Sequence, residues 1–242
     1  IADIPVYETA TNNMYILPGD IRLCEFELEL AVFWTSCLGH KPRGFRGTTS
    51  LSRLVNNHAR SIKADFVFYD TGPNIGPLNR AILLDCDFFI VPGACDLFSV
   101  RALKTLGQTL TGWITQWRTI EKIAPNNAPL LPGTPKFLGH ILQGFRVYGH
   151  GMARTPSKYR ARFEKSLYSD LIMKLRRIDK TLAKKEVATS KLGEVKDFAT
   201  LVQQSQSQGV PLWEVYGGSI YQTEEALKIF SNIAKTIILK TR

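Results

Sequence analysis

Apolar residues recur along the chain at two spacings, and these spacings predict where helices and strands lie. Apolar side chains three or four positions apart predict amphipathic helices at 20–34, 51–62, 99–117 and 223–240, with Ser99 as the cap of the third. Runs rich in aromatic and β-branched residues predict buried strands at 66–69, 87–91 and 137–142. A short strand at 14–17, a loop at 39–47 and a short helix at 77–85 complete this part. Alternating strands and helices predict an α/β fold, with a three-layer, mostly parallel sheet flanked by helices.

The part of the chain after Gly144 has a different character. Residues 157–186 predict one long basic helix, residues 194–208 a second helix, and "PLWEVYGG" a loop or edge strand. No internal repeat or linker divides the sequence. We therefore expect a single domain over 1–242, with a sheet core at 12–145 and a helical, basic part at 146–242.

Composition excludes several classes of protein. Of the 242 residues 44% are hydrophobic and 21% are charged, as in a soluble globular domain. No apolar run approaches the roughly 20 residues of a membrane span. The four cysteines form no CxxC pair, and no histidine stands at zinc-ligand spacing, which favours free thiols in a reducing cytoplasm. No nucleophile-elbow motif is present either.

Positive charge is concentrated in one segment. The net charge is +10, and residues 154–196 hold thirteen Lys or Arg against five Asp or Glu. Such a segment is typical either of a solvated helix face or of a surface that contacts nucleic-acid phosphates. The candidates for nucleic-acid contacts are Arg154, Lys158, Arg160, Arg162, Arg176, Arg177, Lys184 and Lys185.

An acid ends the first predicted strand. In "ADFVFYDTGPNIG" the apolar run stops at Asp70, and a Gly-Pro turn follows. Ligands of open α/β sheets bind at the carboxyl ends of the strands, where such a carboxylate can hold magnesium. An Asp that hydrogen-bonds its own turn explains the same pattern. The stretch alone leaves both interpretations open.

Residues 64–110 resemble the ParA/MinD-type P-loop ATPases, a family with deviant Walker motifs. The resemblance rests on the order of Asp70, Pro73, Pro92 and the "DLFS" that precedes the long helix. It extends over about residues 12–145, where "PKFLGHILQGF" is similar to the later nucleotide-side strand of the family. It implies a P-loop NTPase-like sheet in a cytoplasmic, homodimeric ATPase.

The resemblance also implies roles for particular residues. Asp70 would be the Walker B acid, which holds Mg²⁺ through a water and serves catalysis. Thr71, Gly72 and Pro73 would form the switch beside the γ-phosphate of ATP. Gln143 would contact the adenine. Many members of the family carry proline at the position of Gly72. This difference affects the expected stiffness of the switch and not its position.

One family element is missing from the sequence. The phosphate-binding loop needs a lysine after glycines, and the chain contains no Gly-Lys dipeptide. The segment "GFRGTTS" at 44–50 has the wrong glycine spacing and no lysine. We therefore expect the first β-loop-α unit, with its Walker A segment, to lie upstream. ATP and Mg²⁺ binding is expected only with that segment present.

Three functions follow as expectations. The first is an ATP-dependent dimerisation switch that acts on DNA or on a partner protein, in partitioning or positioning. The second is a non-catalytic scaffold that binds non-specific DNA or a partner through residues 154–196. The third, a membrane-surface regulator of MinD type, needs the apolar side of the terminal helix; packing of that side against the domain is the favoured explanation.

Overall fold

The computed structural model describes residues 5–9, 11–72, 74–145, 147–148, 151–152 and 154–242. The chain divides into two compact units. One unit comprises Ile1–Asp87 and Gly112–Pro135, and the other comprises Phe88–Thr111 and Lys136–Arg242. The single-domain organisation expected from the sequence stays a prediction.

The described residues form short strands, longer strands and helices in the following order. The strands are β1 (Tyr7–Glu8), β2 (Tyr15–Ile16), β3 (Phe88–Ala94), β4 (Lys136–Phe145), β5 (Val147–Tyr148), β6 (Gly151–Met152) and β7 (Lys191–Lys196). The α-helices are α1 (Leu23–Leu38), α2 (Pro42–Thr48), α3 (Ser50–Ser61), α4 (Pro77–Asp85), α5 (Leu97–Lys122), α6 (Arg154–Ser166), α7 (Met173–Ile178), α8 (Val187–Ser190), α9 (Thr200–Gln208) and α10 (Ile220–Thr241). A π-helical segment, Leu167–Ile172, joins α6 to α7, and 3₁₀ turns lie at Lys180–Leu182 and Leu212–Glu214.

The first unit is built around two tryptophans. The rings of Trp34 in α1 and Trp117 in α5 lie 5.4 Å apart, and Trp117 is fully buried. The Trp117 indole N–H donates to the carbonyl oxygen of Leu131 at 3.1 Å, which satisfies its only polar group. The Arg80 guanidinium of α4 lies 3.8 Å from the Trp34 ring centroid. These contacts join α1, α4 and the second part of α5 in one core.

The second unit contains a parallel sheet in the order β3-β4-β7. Phe163 of α6 packs on Gly93, which lies opposite Leu142 of β4. Ile233 of α10 packs on Gly193, which lies opposite Ile141. Because Ile141 and Leu142 are consecutive, they point to opposite faces of the sheet, so helices cover both faces. The predicted α/β fold, with a parallel sheet flanked by helices, is confirmed.

The strand predicted at 66–69 is wrong. Residues 64–72 and 74–76 form neither helix nor strand, and Phe66, Val67 and Phe68 are 42%, 48% and 74% exposed. Aromatic and β-branched residues favour a strand only where a neighbouring strand can receive their backbone hydrogen bonds. Asp70 therefore follows a segment that pairs with no strand in the described part of the chain.

The long helix predicted at 157–186 is interrupted. Its π-helical segment begins at Leu167, and the last turn ends at Asp179, whose backbone is extended. The Asp179 carboxylate accepts hydrogen bonds from the amide and hydroxyl of Thr181, a local arrangement that competes with helix formation. Arg176 then donates to the carbonyl oxygens of Lys180 and Ala183, which replaces helical hydrogen bonds beyond the end of α7.

Two other expectations also require correction. The loop predicted at 39–47 contains α2, which begins with proline at its first position, where a missing N–H costs nothing. The helix predicted at 194–208 begins only at Thr200, because residues up to Lys196 form β7 and pair with β4. The helices predicted at 20–34, 51–62, 77–85, 99–117 and 223–240 are present as α1, α3, α4, α5 and α10.

Within the described residues, the helices are all too short or too polar to cross a membrane.

Candidate functional site

The turn after Asp70 is held by one buried amide. Asn79, in the first turn of α4, is 6% exposed. Its side-chain Nδ2 donates to the carbonyl oxygens of Gly72, at 2.8 Å, and Asn74, at 2.7 Å, with the Asn74 Oδ1 at 2.6 Å. These hydrogen bonds tie both Gly72 and Asn74 to the start of α4.

A second contact holds the other side of Asp70. The Tyr69 hydroxyl donates to the Asp85 carboxylate at 3.3 Å, and the Ser52 hydroxyl donates to the other oxygen at 2.6 Å. Burial raises the pKa of Asp85, and these two hydrogen bonds partly oppose that rise. Asp70 therefore lies between two anchored points, one at each end of α4.

The Asp70 carboxylate itself is exposed. In the part of the chain that the structure describes, it forms no ion pair or hydrogen bond. Thr71 and Gly72 beside it are exposed as well, and Pro73 lies outside the described residues. The arrangement presents a free carboxylate on an anchored segment, which can bind a cation or a metal-bound water.

Sequence reasoning missed Asn79, although this residue carries most of the geometry around the turn. Asparagine near a helix start, after a loop rich in Gly, Pro and Asn, is the signal that could have indicated it, since such side chains bond to nearby backbone.

Replacing Asn79 by alanine is expected to lower the free energy of unfolding by about 1–3 kcal/mol, because the hydrogen bonds from the Asn79 amide to Gly72 and Asn74 are lost, each worth about 0.5–1.5 kcal/mol net. Urea denaturation of the wild type and N79A measures this difference. Asn56→Ala is a matched control, since the Asn56 amide also donates to a carbonyl oxygen, that of Ser52, but from an exposed position. Equal losses in the two variants would contradict a special role for Asn79.

Gln143 lies in the second unit, at the carboxyl end of β4. It is exposed and lies opposite Ala94, the last residue of β3. The Ala94 amide donates to the Ser99 hydroxyl, and the Ser99 amide donates to Asp96. Asp96, and not Ser99 as predicted, therefore caps the start of α5. Asp70 belongs to the first unit and Gln143 to the second.

The described residues do not provide a phosphate cradle for ATP. The segment that most nearly imitates one, 44–50, begins inside α2. Gly44 packs against the backbone of Cys37, and Gly47 packs against the Phe33 ring. These glycines therefore allow helices to approach closely and are not free to wrap an anion. Within the described residues no three His, Cys, Asp or Glu side chains gather into a metal site.

Seven of the eight basic candidates fall into two groups. Arg160 pairs with Glu164 and Glu194, at 3.1 Å and 2.9 Å, and Arg176 bonds backbone carbonyl oxygens. These two side chains stabilise the unit itself. Arg154 belongs to α6, and its side chain lies outside the described residues. The exposed candidates are Lys158, Arg162, Arg177, Lys184 and Lys185.

Comparisons with known proteins agree with the sequence resemblance. The AAA_31 family model, described as "AAA domain", matches residues 2–123, half of the chain. Protein DIP2308 from Corynebacterium diphtheriae superposes with a TM-score of 0.66 at 23% identity, over 98% of this chain and 70% of its own. No curated protein matches the sequence.

Two structures of McdA from Cyanothece are also similar in fold. The complex of a McdA variant with ATP has a TM-score of 0.52 at 16% identity, over 93% of this chain and 70% of its own. Apo McdA has a TM-score of 0.55 at 14% identity, over 96% of this chain and 71% of its own.

Proposed function

This chain belongs to the AAA domain family AAA_31, of the ParA/MinD type of P-loop ATPases, and we propose that it acts as an ATP-dependent dimerisation switch. The switch works on DNA or on a partner protein, in the manner of proteins that position a cargo. The observation that supports this best is the free Asp70 carboxylate on a segment anchored by Asn79 and Asp85. Both anchors lie within the part matched by the family model.

In this proposal Asp70 is the metal-side acid of the nucleotide site. One of the similar structures, that of the McdA variant, is a complex with ATP. Binding of the triphosphate requires a glycine-rich loop whose backbone amides and lysine contact the phosphates. The sequence contains no Gly-Lys dipeptide and therefore no such loop. We therefore propose that a phosphate loop outside residues 1–242 completes the site. The apolar, exposed segment at 66–68 is the surface against which its strand packs.

Calorimetric titration with ATP and Mg²⁺ tests the proposal. Residues 1–242 alone are expected to bind no tighter than the millimolar range. One carboxylate repels the triphosphate, and a neutral adenine contact contributes only about 1 kcal/mol of the roughly 8 kcal/mol that micromolar affinity requires.

The complete gene product is expected to bind with micromolar affinity, and Asp70→Asn in it is expected to remove the dependence on Mg²⁺. Asp65→Asn is the matched control, because Asp65 is an exposed acid a few residues earlier. Micromolar, magnesium-dependent binding by residues 1–242 alone would contradict the proposed division of the site. Unchanged magnesium dependence in D70N would contradict the role of Asp70.

A second candidate function is a scaffold that binds non-specific DNA without turnover. The exposed cations of the basic segment support it, since their side chains are accessible to a phosphate backbone. The membrane-surface alternative receives less support, because Ala226 and Ile233 of α10 are buried, the latter against Gly193 of the sheet. The packing of these two residues suits a helix of the domain.

A further inference from the structure

A cavity of about 90 Å³ lies in the second unit, at the amino edge of the three-stranded sheet. Phe88 and Lys136, the first residues of β3 and β4, contribute to its wall. Lys184 and Lys240 contribute from the segment after α7 and from the end of α10. Three lysines from distant parts of the sequence therefore meet at one place, while none of the described residues that line it is acidic.

Lys184 and Lys240 are close enough to interact. Burial lowers the pKa of Lys240, and the positive charge of Lys184 lowers it further. The Lys240 ammonium donates to the carbonyl oxygen of Thr189. Lys184 forms no ion pair in the part of the chain that the structure describes. The Lys136 ammonium lies 5.8 Å from the Phe88 ring centroid, a cation–π contact that keeps it at the cavity.

The acid that hydrogen-bonds a lining residue is Asp179. Asp179 accepts from the amide and hydroxyl of Thr181, one of the lining residues. The cavity is also large for one water, which needs about 10–15 Å³. A tetrahedral oxyanion has a size that suits this cavity and a negative charge that complements the three lysines in its lining.

We propose that this cavity binds a phosphate group, held by the ammonium groups of Lys136, Lys184 and Lys240. Lysine binds phosphate as a compact point charge with three donors, and several together suit an anion of charge two. The phosphate is either that of a small molecule or one of a nucleic-acid backbone, and the chemistry of recognition is the same. The site is separate from the proposed ATP site, because it involves neither Asp70 nor magnesium.

Titration with inorganic phosphate at neutral pH tests the proposal, with potassium chloride at equal ionic strength as the reference. Calorimetry is expected to give saturable one-site binding in the millimolar range without magnesium. Thermal unfolding is expected to shift upward with phosphate and not with chloride, since a ligand of the native state stabilises it. K136Q/K240Q is expected to weaken the binding about tenfold or more, because two charge-assisted contacts are lost.

Lys228→Gln with Lys235→Gln is the matched control, since both are exposed lysines of α10 outside the cavity. The control variant is expected to bind phosphate like the wild type. If K136Q/K240Q does not fold, K184Q gives the same test, because the exposed Lys184 forms no ion pair among the described residues. Equal stabilisation by chloride and phosphate, or equal losses in cavity and control variants, would overturn the proposal.

A competition arm identifies the source of the phosphate. If short duplex DNA displaces inorganic phosphate, and K136Q/K240Q weakens DNA binding as well, the cavity binds a backbone phosphate. If DNA leaves phosphate binding unchanged, the cavity binds a small molecule. Both results support the phosphate site, and both are independent of whether residues 1–242 bind ATP.

Discussion

Replacing Arg162, Arg177, Lys184 and Lys185 by glutamate is expected to weaken binding to duplex DNA about a hundredfold or more at physiological salt. Each lysine or arginine that neutralises a phosphate releases condensed counterions. The logarithm of the affinity therefore falls linearly with the logarithm of the salt concentration, with a slope of about 0.9 per contact. Losing four contacts is expected to reduce this slope by about three to four, equally for every DNA sequence. Arg160 and Arg176 are left intact because their hydrogen bonds stabilise the fold.

Fluorescence anisotropy at several salt concentrations measures both quantities. A matched control replaces Lys41, Arg46, Arg53 and Arg60 by glutamate, since these residues are exposed in and around α2 and α3 and the change in net charge is identical. The control is expected to retain most of the affinity. DNA binding that is indifferent to salt, or that falls equally in both variants, would show that the basic segment is a solvated surface.

Acidification from neutral pH to pH 4 is expected to destabilise the protein by roughly 3 kcal/mol through His140 alone, at about 1.4 kcal/mol per unit of pKa. His140 is 1% exposed, and its burial lowers its pKa to about 4 from the ordinary 6.5. Glu164 opposes this shift, whereas Lys191, Arg160 and Lys240 add to it. The unfolded chain therefore binds a proton that the folded chain rejects, so stability is lost as the pH falls from 6.5 toward 4.

The geometry around His140 explains why protonation of its imidazole is unfavourable in the folded protein. Its Nδ1 lies 3.1 Å from the Ser190 hydroxyl, which itself donates to the Val187 carbonyl oxygen. The hydroxyl therefore accepts a hydrogen bond from Nδ1–H. Nε2 is buried without a hydrogen-bond partner among the described residues. The centroid of the Phe163 ring lies 5.9 Å from that of the imidazole. Protonation would place a charged N–H there with nothing to accept it.

Urea unfolding of wild type and His140→Gln across this pH range isolates the contribution. The difference in unfolding free energy between the two proteins is expected to shrink steadily below pH 6.5, because only the wild type loses the histidine contribution. Titrating carboxylates affect both proteins alike and cancel. A difference that stays constant between pH 7 and pH 4 would contradict a neutral, buried His140.

Elements with a complete local signal were predictable. α1, α5 and α10 have long 3.6-residue periodicity, and β3 and β4 are short apolar runs between turn residues. In each case the folded protein buries apolar side chains that the pattern predicts to be buried. The segment at 66–69 has an equally strong strand pattern but exposed side chains, because a strand needs a neighbour and periodicity does not say which neighbour is present.

The later part of the chain was less predictable, for a different reason. β7 pairs with β4 through residues that read equally well as the start of a helix, so long-range hydrogen bonding decided its structure. The end of α7 depends on hydrogen bonds of Asp179 and Arg176 to residues a few positions away, and the sequence pattern does not indicate that these bonds form.

By itself, the sequence determined the α/β class, the family resemblance, the acid at Asp70 and the basic character of residues 154–196. These depend on the order and type of residues, which periodicity and motifs record directly. Only the tertiary structure decided that Asn79 holds the turn beside Asp70, that two arginines of the basic segment are structural, and that one cavity is shared by Lys136, Lys184 and Lys240. These contacts join side chains that are far apart in the sequence. They form only when the whole unit folds, because hydrogen bonding and burial then determine which side chains meet.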